Sequence, residues 1–158
     1  MIFFEHKSLY ATKGEVPDGE HVDKLGTAAI RRRGSDLTIA ALGLMVPRAL
    51  EAAATLQAEH GISATVIDVR SLVPLDTQTI FAEVSKTGRF YTVEENPRLC
   101  GWGAEIASLV AEELFWDLDA PIMRITTPHV PLPAADRLED LTIPSATRIV
   151  ATILRTID

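Results

Sequence analysis

Arg89-Phe-Tyr-Thr-Val-Glu-Glu-Asn-Pro-Arg-Leu-Cys-Gly-Trp-Gly-Ala-Glu-Ile-Ala-Ser-Leu-Val-Ala-Glu-Glu-Leu-Phe-Trp116 is the stretch that decides the fold. Phe90 to Val93 is short, apolar, aromatic and β-branched, which predicts a buried strand. Glu94-Glu95 follow, and Asn96-Pro97 break the chain. Beyond Gly101-Trp102-Gly103, Ile106, Leu109, Val110 and Leu114 recur at three- and four-residue steps, so a helix with one apolar face begins there. Strand, polar loop and helix make half of a βαβ unit, and similar units lie on either side.

Upstream, Thr27 to Arg33 and Leu37 to Leu42 are two expected strands joined across Gly34-Ser35. So short a link makes them antiparallel, because a parallel return needs a dozen residues or more. A helix is expected from Val46 to His60, with Pro47 in its first turn and Gly61 as its stop. The third strand is Ala64 to Val69. Asp76 caps a short helix that turns Ile80, Phe81 and Val84 inward and ends at Gly88. Downstream, Pro121 leads into a strand over Ile122 to Ile125. The stretch bearing Pro128, Pro131 and Pro133 is too proline-rich for regular structure. A last helix beginning near Pro144-Ser145 buries Ile149, Val150, Ile153, Leu154 and Ile157, with Arg148, Thr152 and Arg155 on its other face. The alternation implies an α/β fold, a mixed five-stranded sheet with the first strand antiparallel and helices on both faces.

Ahead of this pattern stands Ile2-Phe3-Phe4, a β-forming triplet with no partner in the next twenty residues. Residues 11–24 are polar, with Gly14, Pro17 and Gly19, and form a linker. Residues 1–24 are therefore expected to be the last strand of a preceding domain plus a linker, and residues 25–158 the domain proper.

Composition narrows the function. The 158 residues are 47% hydrophobic and 23% charged with a net charge of −7, a globular balance that would repel a phosphate backbone. No apolar run is long enough for a bilayer. Neither nucleic acid nor membrane is expected as a partner. One cysteine excludes an internal disulfide framework and fits a reducing cytoplasm. Arg31-Arg32-Arg33 is the single basic cluster, better explained as a solvated strand end or an ion-pair site than as an anion site.

No constellation of these residues makes an evident active site. Gly101-Trp102-Gly103 lacks the third glycine of a dinucleotide fingerprint, since Ile106 stands there, and Glu94, Glu95 and Glu105 would repel phosphate. A simple helix start is the better explanation. Adjacent Glu94 and Glu95 on an extended chain point to opposite sides, so they are no ready acid/base pair, and an interface or structural role is favoured. Cys100 precedes a helix but has carboxylates nearby and no histidine close in sequence, which favours a passive thiol. His6, His21, His60 and His129 show no metal-ligand spacing. No catalytic, cofactor-binding or metal-binding residue can be named.

Six ordered stretches nonetheless form one pattern: IFFEHKSLYATKGEVPDGE, LG-x-AAI-x-R-x-G-x-DLTI-x-A-x-G, VIDVRSLVPLDTQTI, VEENPRLCGWGAEIA, DAPIMRIT, and PHVPLP with LED and IPSATRIV. Together they resemble the β subunit of thiamine-diphosphate-dependent 2-oxo acid dehydrogenases, the E1 component of pyruvate, branched-chain 2-oxo acid and acetoin complexes. Such subunits are roughly twice this long. Their first half carries the cofactor-activating glutamate and a substrate-side histidine; the part after Gly26 resembles the transketolase C-terminal domain, an α/β/α sandwich. Cys100 is a departure, since many relatives have glycine there.

The resemblance implies a domain that assembles rather than catalyses. Its partners would be the E1 α subunit, a second E1 β subunit and the E2 acyltransferase. It would bind no cofactor alone, with thiamine diphosphate and magnesium belonging to the parent enzyme. Glu94, Arg148, Arg155 and Asp158 are the candidate partner-binding residues, the last three forming an E2-docking surface on the final helix. Self-association is expected because Phe3 and Phe4 lack a sheet. The alternative is a non-catalytic binding or regulatory module derived from the same domain.

Overall fold

The protein is described by a computed structural model covering residues 2–157. Its sheet runs β1 (Ala29–Arg32), β3 (Ala64–Asp68), β2 (Leu37–Ala41), β4 (Phe90–Pro97), β5 (Met123–Thr127) across the molecule. Strands β2 to β5 are mutually parallel and β1 is antiparallel to β3. The helices are α1 (Met45–His60), α2 (Thr77–Thr87), α3 (Trp102–Glu113), α4 (Asp136–Thr142) and α5 (Ala146–Thr156), with short 3-10 turns at Lys7–Leu9 and Phe115–Asp117.

The expected opposite directions of β1 and β2 hold, but the two are not neighbours, because β3 lies between them. Composition explains the order. Leu37-Thr-Ile-Ala-Ala41 is buried at every position and belongs at the centre, whereas Ala29-Ile-Arg-Arg32 carries charge and belongs at an edge. The link between them crosses the start of β3. There Thr65 Oγ1 lies 2.9 Å from both the amide nitrogen and the carbonyl oxygen of Gly34, and a Cβ on Gly34 would lie 2.4 Å from the Ala64 backbone. Only glycine lets the chain pass so close.

Two cores sandwich the sheet. On one face Leu37, Ile39, Tyr91 and Val93 meet Ala49, Ala53 and Leu56 of α1 and Ile149 and Ile153 of α5. On the other, Ala40, Ile67 and Phe90 meet Ile80 and Val84 of α2 and Ile106 and Val110 of α3. The two-residue alternation of the strands and the 3.6-residue period of the helices produce this division. Each fully buried aliphatic side chain contributes about 1.5–3 kcal/mol. Asp76 caps α2 as expected, its carboxylate accepting from the Thr79 amide at 3.1 Å and from the Ala28 amide at 2.9 Å. Helix α4, which includes Leu138-Glu139-Asp140, is an element the proline count concealed. The prolines stop at Pro133, and residues 136–142 are free to coil.

Ile2 to Phe4 form no strand and are 71–93% exposed. A lone strand without a hydrogen-bonding neighbour leaves its amides unpaired, so extended sequence alone does not make one. Residues 11–24 are exposed and contain no helix or strand after a turn at Ala11. The arm nevertheless touches the sheet twice, through His6 to Glu95 and through Asp23 to Arg70. Among the described residues, no helix is long and apolar enough to cross a membrane.

Candidate functional site

Open α/β sheets place ligand sites beyond the carboxyl ends of their strands, where the winding changes direction. Here that point lies between β2 and β4, and Glu94 and Glu95 stand at it. Alternation puts Thr92, Glu94 and Asn96 on one face of β4, the face covered by α3. Arg124 of β5 lies in register with Thr92 and so shares that face.

Three of these side chains and one helix amide close on the fourth, the Glu94 carboxylate. Glu94 Oε1 accepts from Thr92 Oγ1 at 2.9 Å and Arg124 Nε at 2.8 Å. Glu94 Oε2 accepts from Asn96 Nδ2 at 3.0 Å, Arg124 Nη2 at 2.9 Å and the Gly103 amide at 3.0 Å. The forked guanidinium and the first turn of α3 thus meet the carboxylate together. Glu94 is fully buried and the Arg124 side chain 10% exposed. Burial alone would raise the Glu94 pKa, but donation from Arg124, Asn96, Thr92 and Gly103 outweighs it and holds the group below its ordinary value.

This explains both glycines of the turn as matters of space. A Cβ at Gly101 would lie 2.2 Å from Asn96 Nδ2 and 2.4 Å from Glu94 Oε2; one at Gly103 would lie 2.2 Å from Glu94 Oε1. The turn also gives no seat to a diphosphate, because the Gly103 amide that would face it already serves Glu94. Among the described residues, no cluster of three or more His, Cys, Asp or Glu side chains is placed to hold a metal ion.

Glu95 points the other way, as adjacent residues of a strand must, and meets His6 Nε2 at 3.0 Å. The His6 ring also approaches Gly43 at the end of β2. Its Nδ1 is buried without a partner among the described residues. The arm therefore sits over the crevice between β2 and β4. Cys100 is exposed on the loop before α3, with a left-handed φ of 56°.

The partner-binding expectations divide. Glu94 is interior, so its carboxylate has no surface to offer; the partner-facing role gives way to an internal one, for the reason of burial just described. Arg148 is exposed but donates to the carbonyls of Thr126 at 2.7 Å and Thr142 at 3.2 Å, which ties α5 to β5 and α4. Arg155 is exposed on the outer face of α5, and among the described residues it has no ion-pair partner. Asp158 lies outside the described residues. In the basic cluster, Arg33 reaches buried Glu83 at 3.1 Å, so the ion-pair explanation holds there.

Sequence reasoning gave Arg124 and Thr92 no part in a site, missed the His6–Glu95 contact, and read Asn96-Pro97 as a chain break where β4 in fact runs through Pro97. The available signals were an arginine inside an otherwise apolar strand and a Thr-x-Glu-x-Asn alternation on the preceding one. Both mark a buried charge that must be matched.

A family model described as the transketolase C-terminal domain matches residues 26–149. The chain is 46% identical over 156 residues to the β subunit of acetoin:2,6-dichlorophenolindophenol oxidoreductase from Cupriavidus necator, covering 99% of this chain and 46% of that protein. It is 41% identical over 157 residues to the pyruvate dehydrogenase E1 component subunit β of Leifsonia xyli subsp. xyli, covering 99% and 46%. Among solved structures, a split gene transketolase described as an inactive β4 tetramer superposes with a TM-score of 0.75 at 30% identity, over 91% of this chain and 45% of that one. The chain thus spans about half the length of the relatives it matches.

Proposed function

This chain belongs to the transketolase C-terminal domain family, and from that premise we propose that it serves as the assembly domain of an E1 β subunit of a 2-oxo acid dehydrogenase. The observation that carries the proposal is the match over 99% of this chain, at 46% identity to an acetoin oxidoreductase β subunit and at 41% to a pyruvate dehydrogenase E1 β subunit, each about twice as long as this chain. Supporting it, the most elaborate polar site in the domain is closed and structural. Glu94 is pinned, charged and out of reach of any substrate.

The parent reaction is then oxidative decarboxylation of a 2-oxo acid, or cleavage of acetoin, with thiamine diphosphate and magnesium held elsewhere in the parent enzyme. When bound there, thiamine diphosphate supplies the carbanion-stabilising ylid that such cleavage requires. The domain's own part is to pair with the E1 α subunit and a second β subunit, in the cytoplasm, and to help dock the E2 acyltransferase. We assign that last contact to exposed Arg155 and Arg148 of α5 together with Asp158, which lies outside the described residues; Arg148 presents what its two carbonyl bonds leave over. Removal of residues 155–158 should abolish E2 binding by surface plasmon resonance while leaving the far-UV spectrum unchanged. Unaltered E2 affinity would overturn the docking assignment, and turnover of a 2-oxo acid by this chain alone would overturn the assembly role.

A further inference from the structure

Residues 5–10 differ from the rest of the arm ahead of β1, which is exposed from Ala11 to Leu25. The 3-10 turn at Lys7–Leu9 is closed by the Leu9 amide, which donates to the His6 carbonyl at 2.9 Å, and by the Tyr10 amide, which donates to the Lys7 carbonyl at 3.1 Å. The Tyr10 hydroxyl donates to the Glu5 carboxylate at 2.6 Å and draws the two ends of the segment together. Such a turn sets residues three apart on one side. His6 and Leu9 are that pair, and they are the least exposed of residues 2–10. The segment therefore offers one polar and one apolar group to the domain.

Its seat is equally definite. The Glu95 carbonyl accepts from Thr127 Oγ1 at 2.5 Å, which ties the backbone there to β5. His6 Nε2 lies 3.1 and 3.0 Å from the two oxygens of the Glu95 carboxylate, so Nε2 carries the hydrogen. The two side chains are 28% and 31% exposed, a setting in which such a bond is less screened than on the open surface. A Cβ on Gly43 would lie 3.9 Å from both Cβ and Cδ2 of His6, so the ring packs over the end of β2. At the far end of the arm Asp23 pairs with Arg70, which stands just past β3 with a left-handed φ of 60°. Because β3 and β4 flank β2, the two ties carry the arm across the carboxyl edge of the sheet.

We propose that residues 5–10 are a clamp that fastens the chain ahead of this domain to that edge, with His6 and Glu95 as its positioning pair. Whatever precedes Glu5 then leaves the domain in one fixed direction instead of swinging on a flexible linker. In a longer β subunit the pair would hold the preceding part at a set orientation to the assembly domain. Only that last step rests on the E1 β reading; the clamp itself belongs to this chain.

The test uses this chain, with the amides of Leu9 and Tyr10 as hydrogen-exchange probes of the turn. His6→Ala or Glu95→Ala should speed their exchange by at least about fivefold, as loss of a charge-assisted hydrogen bond implies. The double variant should be no faster than either single one. The exchanged pair, His6→Glu with Glu95→His, should restore protection. Cys100 is the sole cysteine, so Ser8→Cys supplies the second of two spin labels. Pulsed electron resonance should then give one narrow distance, which Glu95→Ala broadens. The melting temperature should stay that of the wild type; where Glu95→Ala lowers it, His6→Ala, on the exposed arm, decides. Equal exchange with and without the pair would overturn the proposal, as would additive single variants or a broad distance distribution in the Ser8→Cys chain. None of these readouts involves E2 or a 2-oxo acid, so the clamp and the assembly role can fail separately.

Discussion

Replacing Glu94 by glutamine keeps the size of the side chain and removes its charge. One oxygen becomes an NH2 group, set against donors from Asn96, Gly103 or Arg124 that it cannot accept from. The guanidinium, 10% exposed, is left without its counter-ion. Breaking a buried ion pair from one side costs about 3–5 kcal/mol. A domain of this size has about 5–15 kcal/mol in total. At the lower figure, Glu94→Gln should lower the melting temperature by roughly 6–12 °C. It should also reduce the urea midpoint without changing the slope. Arg124→Met should cost a similar amount. The double variant should be markedly less damaged than the sum of the two, with a coupling of at least about 1.5 kcal/mol, because neither charge is then stranded. The pH dependence has a definite sign. A carboxyl whose pKa is lowered by folding contributes its full stability above its unfolded pKa of about 4.3 and loses it as pH falls through the lower folded value. The gap between wild type and Glu94→Gln should therefore narrow in acid. Additive single variants, or a Glu94→Gln cost below about 1 kcal/mol at neutral pH, would refute the assignment of this cluster as the domain's central tie.

Two other substitutions probe the same corner. Gly103→Ala puts a Cβ 2.2 Å from Glu94 Oε1 and 2.6 Å from Thr92 Oγ1, so it should destabilise by about 1–3 kcal/mol in urea titration despite the better helix propensity of alanine. Cys100→Gly should stabilise slightly, by about 0.5–1 kcal/mol in the same assay. Relief of the left-handed φ of 56° outweighs the extra freedom of glycine in the unfolded chain.

Most of the architecture was legible because it rests on periodicity. Leu37 to Ala41 and Phe90 to Val93 could only be buried strands, and Ile149, Val150 and Ile153 could only be one face of a helix. What periodicity does not carry is spatial order. Nothing in residues 27–42 states that a third strand will slip between the first two; that outcome depends on Gly34 passing over Ala64. The opposed directions of Glu94 and Glu95 were readable from strand geometry. Their fates were not, because Glu94 is decided by Arg124, thirty residues away, and Glu95 by His6, eighty-nine residues away. The triplet Ile2-Phe3-Phe4, expected to belong to a sheet of a preceding domain, is coil and exposed among the described residues, because strand propensity has no effect without a neighbour to pair with.

The distance in sequence between Glu94 and its counter-ion has a bearing on how the domain is put together. Until β5 is in place, an arrangement that has already joined β4 to α3 carries a desolvated anion with only neutral donors around it. Half-built sheets are thus penalised, and this end of the domain should set as one block, with the strand bearing Arg124 as its closing piece. Amide exchange should accordingly release β5 and the first turn of α3 together.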